Sequence, residues 1–148
     1  MQSAFMSEAL AEARAAAARG EVPVGAVVVV DGRIVGRGGN ETRATCDPSA
    51  HAEVQAIRRA CAALGVERLP GASLYVTLEP CAACAGVIAA ARIARLYYGA
   101  ADPKSGGVAH GARVFSHPQS HHVPEIYAGI AEAEAGSLLR GFFASRRG

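Results

Sequence analysis

Residues 24–30, the dipeptide Asp31-Gly32 and residues 33–38 constrain this chain more tightly than any other stretch, because they read as two strands joined by a turn of fixed geometry. Asp-Gly tolerates the positive φ angles that a two-residue hairpin turn requires. After this hairpin, helix-like and strand-like segments alternate. A helix is expected over about residues 51–64, a strand over 73–78, a helix over 81–91, a strand over 93–99, a short strand over 123–126 and a helix over 130–146. Strands separated by helices have the crossover length that parallel pairing needs, so the later sheet should be largely parallel and flanked by helices. The pattern predicts an α/β fold.

Ahead of the hairpin, Ser3 or Ser7 can cap an Ala-rich helix that runs to about Arg19, where Gly20 provides the stop. Residues 39–50, rich in Gly, Asn, Thr, Asp and Pro, are expected as loop, and Asp47-Pro48-Ser49 signals the start of the next helix. Pro80 opens the helix over 81–91. No repeat or linker divides the 148 residues, so one domain over 1–148 is expected, long enough to bury about two thirds of its unfolded surface. With 51% apolar residues, 5% aromatic and no Trp, small aliphatic side chains must supply most of the packing.

The 15 basic and 13 acidic residues leave a formal charge of +2, too small to establish a nucleic-acid partner by itself. Lys104 is the only lysine, and the basic set ends in Arg140, Arg146 and Arg147, which could complement a helix C-terminus as readily as attract phosphate. Glu8 and Glu12 precede the first Arg, and no apolar block follows a basic region, so no signal peptide is read. The longest apolar stretch is far short of a membrane span, and a cytoplasmic location is expected. In that reducing compartment the close pair Cys81 and Cys84 points to metal binding or redox chemistry rather than to a structural disulfide. Cys46 and Cys61 read as ordinary small residues, with an influence of Cys46 on the site as the alternative, and His110, His117, His121 and His122 read as loop residues, one of which could contact phosphate.

His51-Ala52-Glu53 and Pro80-Cys81-Ala82-Ala83-Cys84 each begin a helix directly after a loop or strand end, so the two starts are candidates to converge. One imidazole and two thiolates suit Zn²⁺ in tetrahedral geometry and leave a fourth position open, as a catalytic site requires. At a helix start the unpaired N–H groups and the dipole favour thiolate. His51 and Glu53 are two apart, about 200° around an ideal helix, so they can serve one site only from the helix end. There the imidazole can ligate while the carboxylate reaches a water without ligating the metal. Zinc makes hydroxide available near neutrality, and Glu53 can take the water proton and pass it to a ring nitrogen and to departing ammonia. A lone C-x-x-C is more often redox or structural zinc; the combination H-x-E with P-C-x-x-C is the pattern of zinc deaminases.

Several longer stretches carry a closer resemblance. Glu21-Val22-Pro23-Val24-Gly25-Ala26-Val27, Asp47-Pro48-Ser49-Ala50-His51-Ala52-Glu53, Leu74-Tyr75-Val76-Thr77-Leu78-Glu79-Pro80-Cys81, Asp102-Pro103-Lys104-Ser105-Gly106 and Phe142-Phe143-Ala144-Ser145-Arg146-Arg147 together resemble the bacterial tRNA-specific adenosine deaminase family, nearly end to end. The resemblance implies a three-layer α/β/α cytidine deaminase-like fold with a five-stranded mixed sheet, one zinc per subunit and a homodimer. It implies as substrate a flipped adenosine from a tRNA anticodon stem-loop, from an arginine-accepting tRNA, converted to inosine at the wobble position. Carried over by position, His51, Cys81 and Cys84 bind zinc and Glu53 shuttles protons. Asn40 and Ala52 hold the base, Asp102 and Lys104 contact RNA backbone and sugar, and Phe143 and Arg147 hold flanking nucleotides.

On the residues alone, Asn40 is also a loop Asn with local backbone bonds, Asp102 and Lys104 a solvated turn, and one of Phe142 and Phe143 a core residue. Three departures stand out: Ala83 where relatives carry Met, Gly39 where an aromatic is frequent, and Cys46 where His is common. They bear on the pocket wall and on substrate choice. A free-base or nucleoside deaminase of guanine or cytosine type would use the same zinc machinery. A non-catalytic zinc or RNA-binding module would have no use for Glu53.

Overall fold

The computed structural model describes residues 2–147, with side chains from Ala4 to Arg146. The expected hairpin forms from β1 (Gly25–Val30) and β2 (Arg33–Gly39), with Asp31 at φ 50° and Gly32 at φ 74° in the turn. The sheet continues with β3 (Ser73–Leu78), β4 (Arg95–Ala100) and β5 (Glu125–Tyr127), in the spatial order β2-β1-β3-β4-β5. Strand β1 runs antiparallel to both neighbours, whereas β3, β4 and β5 are mutually parallel. The mixed sheet therefore has the later parallel half that the alternation of segments predicts.

Two helices cover each face. On one side α2 (Ala52–Leu64) and α3 (Ala82–Ala90) enclose Ala26, Val28, Leu74, Val76, Leu96 and Tyr98. On the other, α1 (Gln2–Ala18) and α4 (Glu132–Arg147) pack on Val27, Val29, Tyr75 and Tyr97 through residues such as Met6, Leu10 and Ala135. Successive strand residues thus serve opposite cores, as the two-residue period of a doubly covered sheet requires. This is the three-layer α/β/α fold with five strands.

The Ala-rich composition finds its reason in how closely the helices approach. A Cβ at Gly25 would stand 2.0 Å from the Ala9 carbonyl oxygen, and one at Gly36 would stand 2.3 Å from that of Ala56. Helix backbone lies directly on strand backbone, so only glycine fits on the strand and small side chains are left to fill the gaps. On the α1 face, Tyr75, Tyr97 and Tyr127 occupy matched register positions and stack at 4.4 and 4.8 Å.

Some boundaries differ from expectation. Helix α1 starts at Gln2, upstream of Ser7 and Ser3, so neither serine is its cap; nothing in the first residues breaks a helix. Strand β4 starts at Arg95 rather than at residue 93, because the Ile93 side chain is buried in the α2/α3 core and its carbonyl accepts from His122 Nε2 at 2.6 Å. Helix α4 starts at Glu132, after Ala131 turns the chain at φ 58°. Between β4 and β5 a 3-10 turn at Val114–Ser116 buries Phe115.

Candidate active site

His51 and Cys81 are the N-cap residues of α2 and α3, with extended backbone (ψ 156° and 175°), and neither side chain caps its helix. An N-cap is ordinarily a Ser, Thr, Asp or Asn whose oxygen satisfies an unpaired helix N–H. Here the side chains turn toward each other instead. At α2 the capping task passes to another strand end: Asn40 Oδ1 accepts from the Ala52 N–H at 2.9 Å. The approach to His51 is set by Asp47, whose Oδ1 accepts from the backbone N–H and hydroxyl of Ser49 at 2.8 and 2.7 Å.

The three ligand atoms converge. His51 Nδ1 lies 3.2 Å from Cys84 Sγ and 3.6 Å from Cys81 Sγ, and all three atoms fall within 4.8 Å of one another. Zn–S bonds near 2.3 Å and Zn–N bonds of 2.0–2.1 Å put ligand atoms of a tetrahedral ion about 3.5–3.8 Å apart. The titration of the group carries the same message. A thiol donated by Cys84, followed by the bond to His51, lowers Cys81 to about 3, and that thiolate in turn raises Cys84, as does burial. The bond to Cys81 also raises His51. Two sulfurs this close ionise together only with a cation between them, so the donor set fits zinc.

Glu53 sits in the first turn of α2, 4% exposed, and burial pushes its carboxyl up to about 7. It lines, with His51 and Cys81, a cleft of about 230 Å³ walled by Val22, Asn40 and Asp102. Pockets for drug-sized ligands usually run about 300–1,000 Å³, so this one suits a single base.

Two further carboxylates are buried nearby: Glu79 lines the cleft, and Glu21 lies behind it, next to the lining residue Val22. Glu79, 2% exposed at the end of β3, accepts the backbone N–H of Asp102 at 3.0 Å, Val108 at 3.2 Å, Ala109 at 3.0 Å and His110 at 3.1 Å, and also His110 Nδ1 at 2.8 Å. Burial alone would raise its carboxyl, but these donors, Asp102 and His110 foremost, hold it below the ordinary carboxylate value. Glu21, also 2% exposed, accepts from the N–H of Arg43 at 3.2 Å and of Ala44 at 2.8 Å.

The remaining expected site residues are spread along this rim and beyond it. Asn40 lines the cleft with its oxygen already engaged, and Ala52 is fully buried with its N–H given to Asn40. Asp102 lines the cleft, with its Oδ1 accepting from the Ser105 N–H at 3.0 Å, while Lys104 is exposed on the same turn. On α4, Phe143 is 45% exposed and Phe142 is half-buried beside Ala17, with the Arg146 guanidinium 4.6 Å over its ring. The Arg147 side chain lies outside the described residues. Cys46 is exposed at φ 51°, and Gly39 has no room for a side chain, since a Cβ would meet the Glu12 carbonyl oxygen at 2.9 Å.

Residues 1–147 match the MafB19-like deaminase family. A tRNA-specific adenosine deaminase of Agrobacterium fabrum is 59% identical over 143 residues, covering 97% of this chain and 94% of that one. The chain belongs to the tRNA-specific adenosine deaminase family. A solved structure from work on A-to-I editing by tRNA:A34 deaminases at the wobble position of transfer RNA superposes with TM-score 0.90 at 60% identity, over 91% of this chain and 98% of that one. A guanine deaminase from Nitrosomonas europaea shares the fold at TM-score 0.83 and 23% identity, over 96% and 84% of the two chains. In this member of the family, Glu79 and Glu21 are the residues that sequence reasoning passed over. The available signal was an acid beside an apolar strand, Glu79 directly after β3 and Glu21 shortly before β1.

Proposed function

We propose that this chain converts adenosine to inosine at the wobble position of a tRNA anticodon, with His51, Cys81 and Cys84 holding one zinc ion and Glu53 carrying protons. The observation that carries the reading is the convergence of these three ligand atoms beside a buried carboxyl, in a chain 59% identical to a tRNA-specific adenosine deaminase. Water and adenosine give inosine and ammonia: a C–O bond forms at the purine carbon, and the C–N bond to the exocyclic amine breaks. Zinc, when bound, supplies the Lewis acidity that makes hydroxide available near neutral pH. With its carboxyl near 7, Glu53 both accepts and returns a proton at physiological pH. It passes one proton of the water to the ring nitrogen beside the reacting carbon, and then carries the second, from the newly added hydroxyl, to the departing amine.

The rest of the site binds and orients. With the Asn40 oxygen committed to Ala52, its NH₂ is the group left to address the purine edge, and the Ala52 N–H acts through Asn40. Asp102 and Lys104 contact RNA backbone and sugar; Phe143 stacks on a flanking nucleotide and Arg147 attracts its phosphate. The partner is the anticodon stem-loop of an arginine-accepting tRNA. A homodimer is supported by α3, which is apolar around its circumference yet leaves Ala82, Ala83, Gly86 and Ala90 exposed. Among the described residues no helix is long and apolar enough to cross a membrane. The protein works as one domain, in the cytoplasm.

Glu53→Ala tests the reading: it should keep zinc and fold while losing inosine formation on the stem-loop by several orders of magnitude. Undiminished turnover in that variant rejects the mechanism.

A further inference from the structure

We infer that Glu79 is a positioning residue of this site: its carboxylate holds residues 102–110 as a preformed wall of the base pocket and thereby sets substrate affinity. The inference rests on the functional reading above only in its last clause. Residues 102–110 contain no helix or strand. Beyond the local turn in which the N–H groups of Ser105 and Gly106 bond to Asp102, their order comes from outside, through five hydrogen bonds that end on the two oxygens of one side chain with no exposed surface. Only a carboxylate accepts on both oxygens; an amide would set an NH₂ against one group of donors. Because a carboxylate only accepts, His110 Nδ1 carries its proton here.

The wall is fitted as well as tied. Gly107 N–H donates to the Pro80 carbonyl at 2.8 Å, and a Cβ on Gly107 would stand 2.5 Å from Ala82 N. A Cβ on Gly106 would stand 2.5 Å from the Glu79 carboxylate. The glycine pair thus lets the segment lie flush on the carboxylate and on the first turn of α3. From there it presents Asp102 and Ser105 to the cleft.

A carboxylate two residues before Cys81 could instead serve the metal helix. Its bonding argues otherwise, since both oxygens are filled by the 102–110 segment. The ligand end is held separately, by the Glu79 backbone N–H on the Ala100 carbonyl at 2.8 Å. Changing the side chain should therefore disturb the wall and spare the ligands.

Glu79→Gln separates the two roles. Lys104 is the only lysine, so a lysine-specific protease cuts the native chain in this segment alone. Cleavage of the variant should be about tenfold faster or more, with one zinc per chain retained. On the anticodon stem-loop, KM should rise about tenfold while kcat stays within about threefold. Native cleavage kinetics, or a fall in kcat and zinc content with KM unchanged, overturns the inference. Hydrogen exchange in the unsubstituted chain covers the case in which the variant does not fold. The amides of Asp102, Val108, Ala109 and His110 should exchange about 100-fold slower than free amides despite lying outside regular structure, and exchange at free rates overturns it. Proteolysis and exchange need no turnover, so they stand even if the chain proves inactive on tRNA.

Discussion

Asn40 does two jobs that a substitution can separate. Its Oδ1 closes the start of α2, a task vacated because the N-cap position is occupied by His51 with its ring turned to the cysteines. Asn40→Ala removes that cap and should lower stability by about 0.5–2 kcal/mol as well as weakening activity. Asn40→Asp keeps an accepting oxygen but not the NH₂, so thermal unfolding should stay near native while kcat/KM for the stem-loop falls. A native kcat/KM in Asn40→Asp would show that the amide addresses nothing but the helix. At this scale the chemistry was legible in the sequence. His51, Glu53, Cys81 and Cys84 declare themselves by spacing within a single helical turn. Glu21 and Glu79 do not, because their partners lie 22–31 residues further along, and no local pattern encodes which amides will meet them.

The elements owe their placement to glycine. Strand β2 accepts α2 at backbone contact because Gly36 has no side chain, and Gly36→Ala should cost about 1–3 kcal/mol or more by forcing the helix outward. Gly141, in α4, faces open space, so Gly141→Ala should be neutral or stabilising by up to about 1 kcal/mol through helix propensity. Urea unfolding midpoints at unchanged slope distinguish the two. The hairpin and the alternation of helix and strand were readable because turn chemistry and period are local. The segment between β4 and β5 was not. It is shaped by Glu79, by the seat on α3 and by burial of Phe115, none of which leaves a periodic trace.

For the whole molecule, a net charge of +2 is a weak advertisement for RNA, so affinity must come from where the arginines sit. KM for the stem-loop should rise with salt on a log–log plot, with a slope of about 0.7 per single-strand phosphate contact. Deleting residues 142–148 should raise KM and flatten that slope; indifference to both salt and deletion would point to a free-base substrate. The backbone contact at Gly25 and Gly36 has a consequence for how such a molecule can change over generations. Enlarging a side chain on either side of those seams shifts a whole helix, and α2 carries a ligand at its tip. Inheritance therefore finds its freedom in the two loops tethered by buried acids, where, Gly106 and Gly107 apart, the tethers end on backbone amides and side chains can be exchanged over an unaltered floor.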